Sequence, residues 1–201
     1  MSAEFVMFVL TAYLVGSIPV GVIVGRLRGF DPRAVGSGNT GMTNVARAGG
    51  KSAAAITFVG DLLKGLLPVL AAEFLGFHVA ALALVGLAAF AGAIFSIYLG
   101  FHGGRGVATS VGVWLGLAPF PILIALAVFL AMVAATRVVS LGSICAAIAL
   151  VPAAAALGCP RPYVLLAILM SALVLVRHHE NIRRLISGEE PAMGAKRART
   201  R

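Results

Sequence analysis

The chain has 201 residues, of which 60% are hydrophobic and only 11% charged. With a mean hydropathy of +1.02 it cannot keep a wettable surface, since soluble domains carry about 25% charged residues; disordered, collagen-like and disulfide-scaffold classes are excluded as well. The formal charge of +9 lies in clusters between apolar runs, as the positive-inside rule describes for membrane proteins, so anionic lipid and anionic substrates are expected partners and nucleic acid is not.

A spanning helix needs about 20 mostly apolar residues. Phe5 to Gly25 is the first such run, and Met1-Ser2-Ala3-Glu4 ahead of it lacks the positive segment of a cleaved signal. A polar, glycine-rich, basic stretch follows from Arg26 to Lys51. Ser52 to Leu75 is the second run, interrupted by Asp61 and Lys64, and Val79 to Gly100 is the third. After the break Phe101-His102-Gly103-Gly104-Arg105-Gly106, only Arg137 and Arg161 are charged between Val107 and Val176.

Arg26, Arg28, Arg33, Arg47 and Lys51 put the first loop in the cytoplasm, and Arg183, Arg184, Lys196, Arg197, Arg199 and Arg201 put the C-terminal tail there too. Two ends on one side require an even number of crossings between them. Four crossings fit after Val107 if Pro119-Phe120-Pro121, Arg137 and Cys159-Pro160-Arg161-Pro162 are the breaks. The expectation is an all-α polytopic bundle of about seven spans, N-terminus outside and C-terminus inside. It forms a single membrane-embedded domain over 1–201, with a disordered basic tail from about 191. The Val107–Ala118 piece is short, at roughly 18 Å of helix. Arg26–Lys51, His102–Arg105, Arg137–Ser143 and Arg177–Glu190 then share the cytoplasmic face. Cys145 and Cys159 lie about 21 Å apart on a helix, too far to bridge, and serve as apolar fillers.

Three segments on that face carry chemistry. Gly36-Ser37-Gly38-Asn39-Thr40-Gly41-Met42-Thr43-Asn44-Val45-Ala46-Arg47 packs short donors among glycines, whose backbone N–H groups can approach an anion closely. Arg47 can clamp a phosphate bidentately. Gly103-Gly104-Arg105-Gly106-Val107-Ala108-Thr109 opens an apolar helix, and a glycine-rich turn before a helix N-terminus offers free N–H groups to an anion. By spacing alone it serves equally well as a tight turn with one inside-positive residue. In Arg177-His178-His179-Glu180-Asn181-Ile182, a helix puts His178, Asn181 and Ile182 on one face. That His can bind phosphate, act as acid or base, or anchor the helix. Adjacent side chains on a helix point apart, which argues against a metal site at His178, His179 and Glu180. Asp61 and Lys64, at i, i+3, are expected to pair as a brace behind the loops. Ser140 and Ser143 add hydroxyls at the Arg137 turn. No catalytic triad, thiol motif, metal cluster or cofactor motif is present, so neither cofactor nor metal is expected.

These segments in this order, with Gly16-Ser17-Ile18-Pro19, Asp61…Lys64-Gly65 and Thr136-Arg137…Ser140-Leu141…Ser143, resemble the acyl-phosphate-dependent glycerol-3-phosphate acyltransferases, the PlsY family of bacterial membranes. The resemblance runs from Gly16 to Glu190. It implies transfer of a fatty acyl group from acyl phosphate to the 1-hydroxyl of glycerol 3-phosphate, giving lysophosphatidic acid and phosphate, the first step of phospholipid synthesis. It implies a multi-pass protein of the bacterial cytoplasmic (inner) membrane with its active site facing the cytoplasm. It assigns activity to Ser37, Arg47, His178 and Asn181. Substrate binding falls to Asn39, Thr43, Asn44, Gly103, Gly104, Arg105, Gly106, Thr109, Ser140 and Ser143. The family usually carries Lys where this chain has Arg105, which keeps the charge but cannot shed a proton. The proton acceptor is either His178 or a phosphate oxygen of the donor, the family's usual reading favouring the phosphate, and no acyl-serine is expected at Ser37. The competing class is a multispan transporter or flippase for an anionic lipid or phosphate compound, which broken helices and intramembrane charges would suit. A monomer is compatible with the sequence, which does not fix the oligomeric state.

Overall fold

The computed structural model describes residues 3–193. Its regular elements are helices: α1 (Ala3–Ser17), α2 (Val20–Leu27), α3 (Met42–Phe74), α4 (Val79–Ile94), α5 (Val107–Leu117), α6 (Pro119–Thr136), α7 (Val139–Ala156), α8 (Arg161–Arg177) and α9 (His179–Ile186). Among the described residues, α3, α6, α7 and the run Val79–Leu99 containing α4 are long and apolar enough to cross a membrane. The bent pairs α1/α2 and α8/α9, at 42° and 60°, raise the number to six, and α5 is a shorter apolar helix. Helices part at or beside each expected break: at Ala118, with Pro119-Phe120-Pro121 opening α6, at Arg137–Val138, and at Leu157–Pro160, with Arg161-Pro162 opening α8.

Two boundaries differ from expectation. The first apolar run is broken at Ser17-Ile18-Pro19. Proline has no N–H and disfavours helical geometry in the residue before it. The carbonyls freed there find side chains from the turn after α4 and from α3: Ser96 Oγ donates to Ser17 C=O at 2.6 Å and Lys64 Nζ to Ile18 C=O at 3.0 Å. Lys64 also pairs with Asp61 at 2.8 Å, so the expected brace exists and staples the bend. Second, α3 begins at Met42, inside the stretch expected to be loop. Gly50, at φ +80, kinks it there, a conformation open to glycine and strained for other residues. Val45, fully buried, is the reason that the N-terminal piece folds back: with Val24 and Ala53 it forms a small apolar cluster under Val20 and Phe30.

Small residues let the helix backbones touch, as in membrane bundles generally. A Cβ on Gly16 would stand 2.0 Å from the Ala89 carbonyl oxygen, and one on Gly112 would stand 2.0 Å from that of Leu62. α1 therefore lies against α4, and α3 against α5. The main core runs through Val85, Phe90, Ile94, Trp114 and Met170, each fully buried. Trp114 meets Tyr163 edge-on at 6.5 Å. Both cysteines are free. Of the tail, Pro191–Met193 are described, and the Met193 N–H donates to Arg137 C=O at 2.7 Å; the expectation of disorder beyond them lies outside the described residues.

Candidate active site

Four chain breaks gather at one end of the bundle: the loop after α2, the turn between α4 and α5, the Arg137 turn and the α8/α9 bend. Between them lies a cavity of about 1090 Å³. Every residue singled out above for catalysis or substrate binding lines it, from Ser37 and Arg47 through Arg105 and Ser140 to His178 and Asn181.

The first loop is built on one side chain. Asn44 is 2% exposed. Its Nδ2 donates to the carbonyls of Pro32, Val35 and Asn39 at 2.6, 2.9 and 2.8 Å, and its Oδ1 accepts from Ser37 N–H at 3.1 Å. The amide is spent on the loop, so Asn44 shapes the site and has no donor left for substrate. The Ser37 hydroxyl and the Arg47 guanidinium, exposed on that frame, make no hydrogen bond to described residues. Asn39 takes the Gly41 N–H on Oδ1 at 3.3 Å and keeps its NH2 for the cavity, which Thr43 also lines.

The glycine turn is tied differently from the expectation of free N–H groups. Gly103 N–H donates to Ile94 C=O and Gly104 N–H to Ala93 C=O, both at 3.0 Å. A Cβ on Gly103 would stand 2.4 Å from the Ala93 oxygen, so glycine here permits a close approach to α4. The unspent N–H groups come next, at Arg105, Gly106 and Val107, where α5 begins. The Arg105 guanidinium makes no hydrogen bond or ion pair with described residues. Thr109, 2% exposed, completes this wall.

His178 is the residue on which α8 bends into α9, and it is 1% exposed. Its Nδ1 lies 2.8 Å from Val174 C=O. A carbonyl only accepts, so Nδ1 carries the hydrogen and Nε2 of the neutral ring is an acceptor. Burial, aided by the Arg105 charge, holds the imidazole down at about 4. Asn181 is 3% exposed and one turn on.

Glu190 was not legible as a site residue. It lies beyond the last apolar run, and its only sequence signal is an acidic pair followed by Pro191 in an otherwise basic tail. Its carboxylate gathers Ser140 Oγ at 2.6 Å, Asn181 Nδ2 at 2.5 Å and Arg184 Nε at 2.6 Å. Burial pushes this carboxyl up, but those hydrogen bonds outweigh it and hold it below the ordinary glutamate range. Glu190, which lines the cavity, thus ties α7 to α9. Ser140 gives its hydrogen to this carboxylate, and Ser143 gives its own to Val139 C=O at 3.0 Å.

The cavity is polar at the bundle end and apolar where Val107, Val111, Leu126, Phe129 and Leu130 face it. A family model described as glycerol-3-phosphate acyltransferase matches residues 6–188. The chain belongs to the glycerol-3-phosphate acyltransferase family. It is 51% identical to the glycerol-3-phosphate acyltransferase of Geobacter sulfurreducens, over 89% of this chain and 92% of that one. It is 47% identical to that of Caulobacter vibrioides, over 92% and 86%. The crystal structure of PlsY (YgiH), an integral membrane glycerol 3-phosphate acyltransferase, in its glycerol 3-phosphate form, superposes with a TM-score of 0.92 at 40% identity, covering 96% of each chain. Its lysophosphatidic acid form gives 0.90 at 39%. The PlsY resemblance drawn from the motifs is therefore correct, and the chain is an integral membrane acyltransferase.

Proposed function

We propose that this acyltransferase takes its acyl group from acyl phosphate and passes it directly to the 1-hydroxyl of glycerol 3-phosphate, in a site that opens to the cytoplasm of a bacterial inner membrane. The observation that carries the reading is that two guanidiniums without a partner among the described residues, Arg47 from the first loop and Arg105 from the glycine turn, line one cavity. Two phosphate-bearing substrates need two cations, and a guanidinium holds a phosphate by paired hydrogen bonds. Arg47, with Ser37 and Asn39, takes one phosphate. Arg105 and the N–H groups opening α5 take the other. The acyl chain lies along Val107, Val111, Leu126 and Phe129 and reaches lipid between the helices. Seven spans follow if α1, α3, α4, α5, α6, α7 and α8 each cross, with the N-terminus outside and the four breaks inside, in one membrane-embedded domain.

The hydroxyl oxygen forms a bond to the acyl carbon, the bond from that carbon to the phosphate oxygen breaks, and inorganic phosphate leaves. Donors fixed around the departing phosphate stabilise its charge without reorganising, and holding both reactants in one cavity removes the cost of their encounter. The proton passes to a phosphate oxygen, because an imidazole held near 4 is a weak base at neutral pH. His178 Nε2 orients the hydroxyl by accepting from it. His178→Asn is expected to lower the rate while leaving the shape of the rate–pH profile between 5.5 and 8 unchanged. A limb near pH 6.5 present only with His178 contradicts this role. Stability follows the same shift: a folded value below the ordinary 6.5 means that the contribution of the neutral ring is complete above about 6.5 and is lost as pH falls through about 4.

The features that suited a transporter have local partners, since Lys64 is held by Asp61 and by the α1/α2 bend. Purified protein in micelles separates the two classes. An acyltransferase releases phosphate from acyl phosphate when glycerol 3-phosphate is added, whereas a carrier does nothing without two compartments.

A further inference from the structure

Arg177 precedes the catalytic His178 but does not line the cavity. It stands behind the glycine turn. Its Nη2 donates to Gly103 C=O at 2.8 Å and its Nε to Gly104 C=O at 3.3 Å. Together with the bonds from Gly103 and Gly104 N–H to Ile94 and Ala93, this leaves the turn clamped from two sides, by the end of α4 and the end of α8.

The clamp has a directional consequence. In a trans peptide the C=O and the following N–H point opposite ways. With Gly103 C=O on Arg177, the Gly104 N–H is thrown to the other side, where it meets Ala93 C=O. With Gly104 C=O on Arg177, the Arg105 N–H must also point away from Arg177. Arg105 itself lines the cavity. The N–H there meets no acceptor among the described residues.

We propose that Arg177 is a positioning residue, which by holding the Gly103 and Gly104 carbonyls from behind aims the Arg105 backbone N–H, and with it the start of α5, at a substrate phosphate. A guanidinium suits the task because it grips two neighbouring carbonyls with two of its nitrogens, where an ammonium reaches with one atom. Arg105 and Arg177 then serve one anion by different routes: Arg105 by contact, Arg177 by orienting a peptide. The inference rests on the reading that this turn holds phosphate.

The test uses the full-length protein in micelles, with inorganic phosphate as a product inhibitor. Arg177→Met is expected to raise the inhibition constant for phosphate roughly tenfold, the worth of one well-aimed hydrogen bond, with the thermal midpoint close to that of the parent. Arg177→Lys should fall between the two. A folded Arg177→Met protein that binds phosphate as the parent does, while losing turnover, overturns the proposal. If Arg177→Met does not fold, Arg177→Lys decides alone: a several-fold weaker phosphate inhibition supports the proposal, and parental inhibition overturns it. Arg105→Ala is the control for the underlying reading. If that variant leaves phosphate inhibition unchanged, the turn holds no phosphate and the reading itself fails. If Arg105→Ala weakens inhibition and Arg177→Met does not, only the role of Arg177 falls.

Discussion

Arg105→Ala is expected to lower kcat/KM by about 10²- to 10³-fold, the range found when one preorganised donor to a developing anion is removed. The structure gives two reasons for so large an effect. The guanidinium has no hydrogen bond or ion pair to a described residue, so nothing else is lost with it. It is also only partly exposed, so its field at the phosphate is weakly screened by solvent. Arg105→Lys should retain much of the activity, because a charge clamp needs the cation and not its geometry. A lysine variant as inactive as the alanine one requires the two-pronged guanidinium grip, and the family's usual lysine would then bind phosphate differently. Steady-state kinetics with each substrate varied distinguishes these outcomes.

Asn44→Ala is the second large effect expected, by a different route. The variant leaves the carbonyls of Pro32, Val35 and Asn39 and the N–H of Ser37 without their shared partner. Even two to three kcal/mol of lost order in the loop is about 30- to 150-fold, and the whole of it falls on Ser37 and Arg47. Since the frame lies outside the main core of the bundle, the thermal midpoint should drop by only a few degrees while kcat/KM falls at least tenfold. If the reverse is measured, with a large loss of stability and little loss of activity, the loop braces the fold and does not carry the site.

The breaks between the apolar helices were legible because their signals are strong and local: prolines at 119 and 160, a lone cation at 137, and long apolar runs between them. The bend at Ser17–Pro19 was less so. Pro19 marks it, but the run is apolar on both sides, and the carbonyls that the bend frees are satisfied by Lys64 and Ser96, far along the chain. The Met42–Gly49 helix was hidden by its own composition, since Ser, Thr, Asn and Gly in that neighbourhood read as loop; burial of Val45 overrides their weak helix propensity. The residues that line the cavity were legible as donors and cations in separate polar segments. Their division of labour was not. Spacing reveals which residues carry N–H groups, and not that those of Gly103 and Gly104 are spent on α4 while those from Arg105 onward are free. Glu190 has no periodicity to announce it, because a strap held by three side chains from two other elements leaves no local pattern.

The central claim is that one cavity holds both anions at once and that the acyl group crosses directly between them. An acyl phosphate is already activated, and an acyl-serine would be a poorer donor than the anhydride that made it. The direct test is a single-turnover experiment with acyl phosphate labelled in its acyl chain, mixed with excess enzyme and quenched in denaturant with and without glycerol 3-phosphate. The predicted result is no stoichiometric label on the protein in either case, with lysophosphatidic acid and phosphate formed together and only when glycerol 3-phosphate is present. Label retained on Ser37 in its absence, and discharged when it is added, would contradict direct transfer.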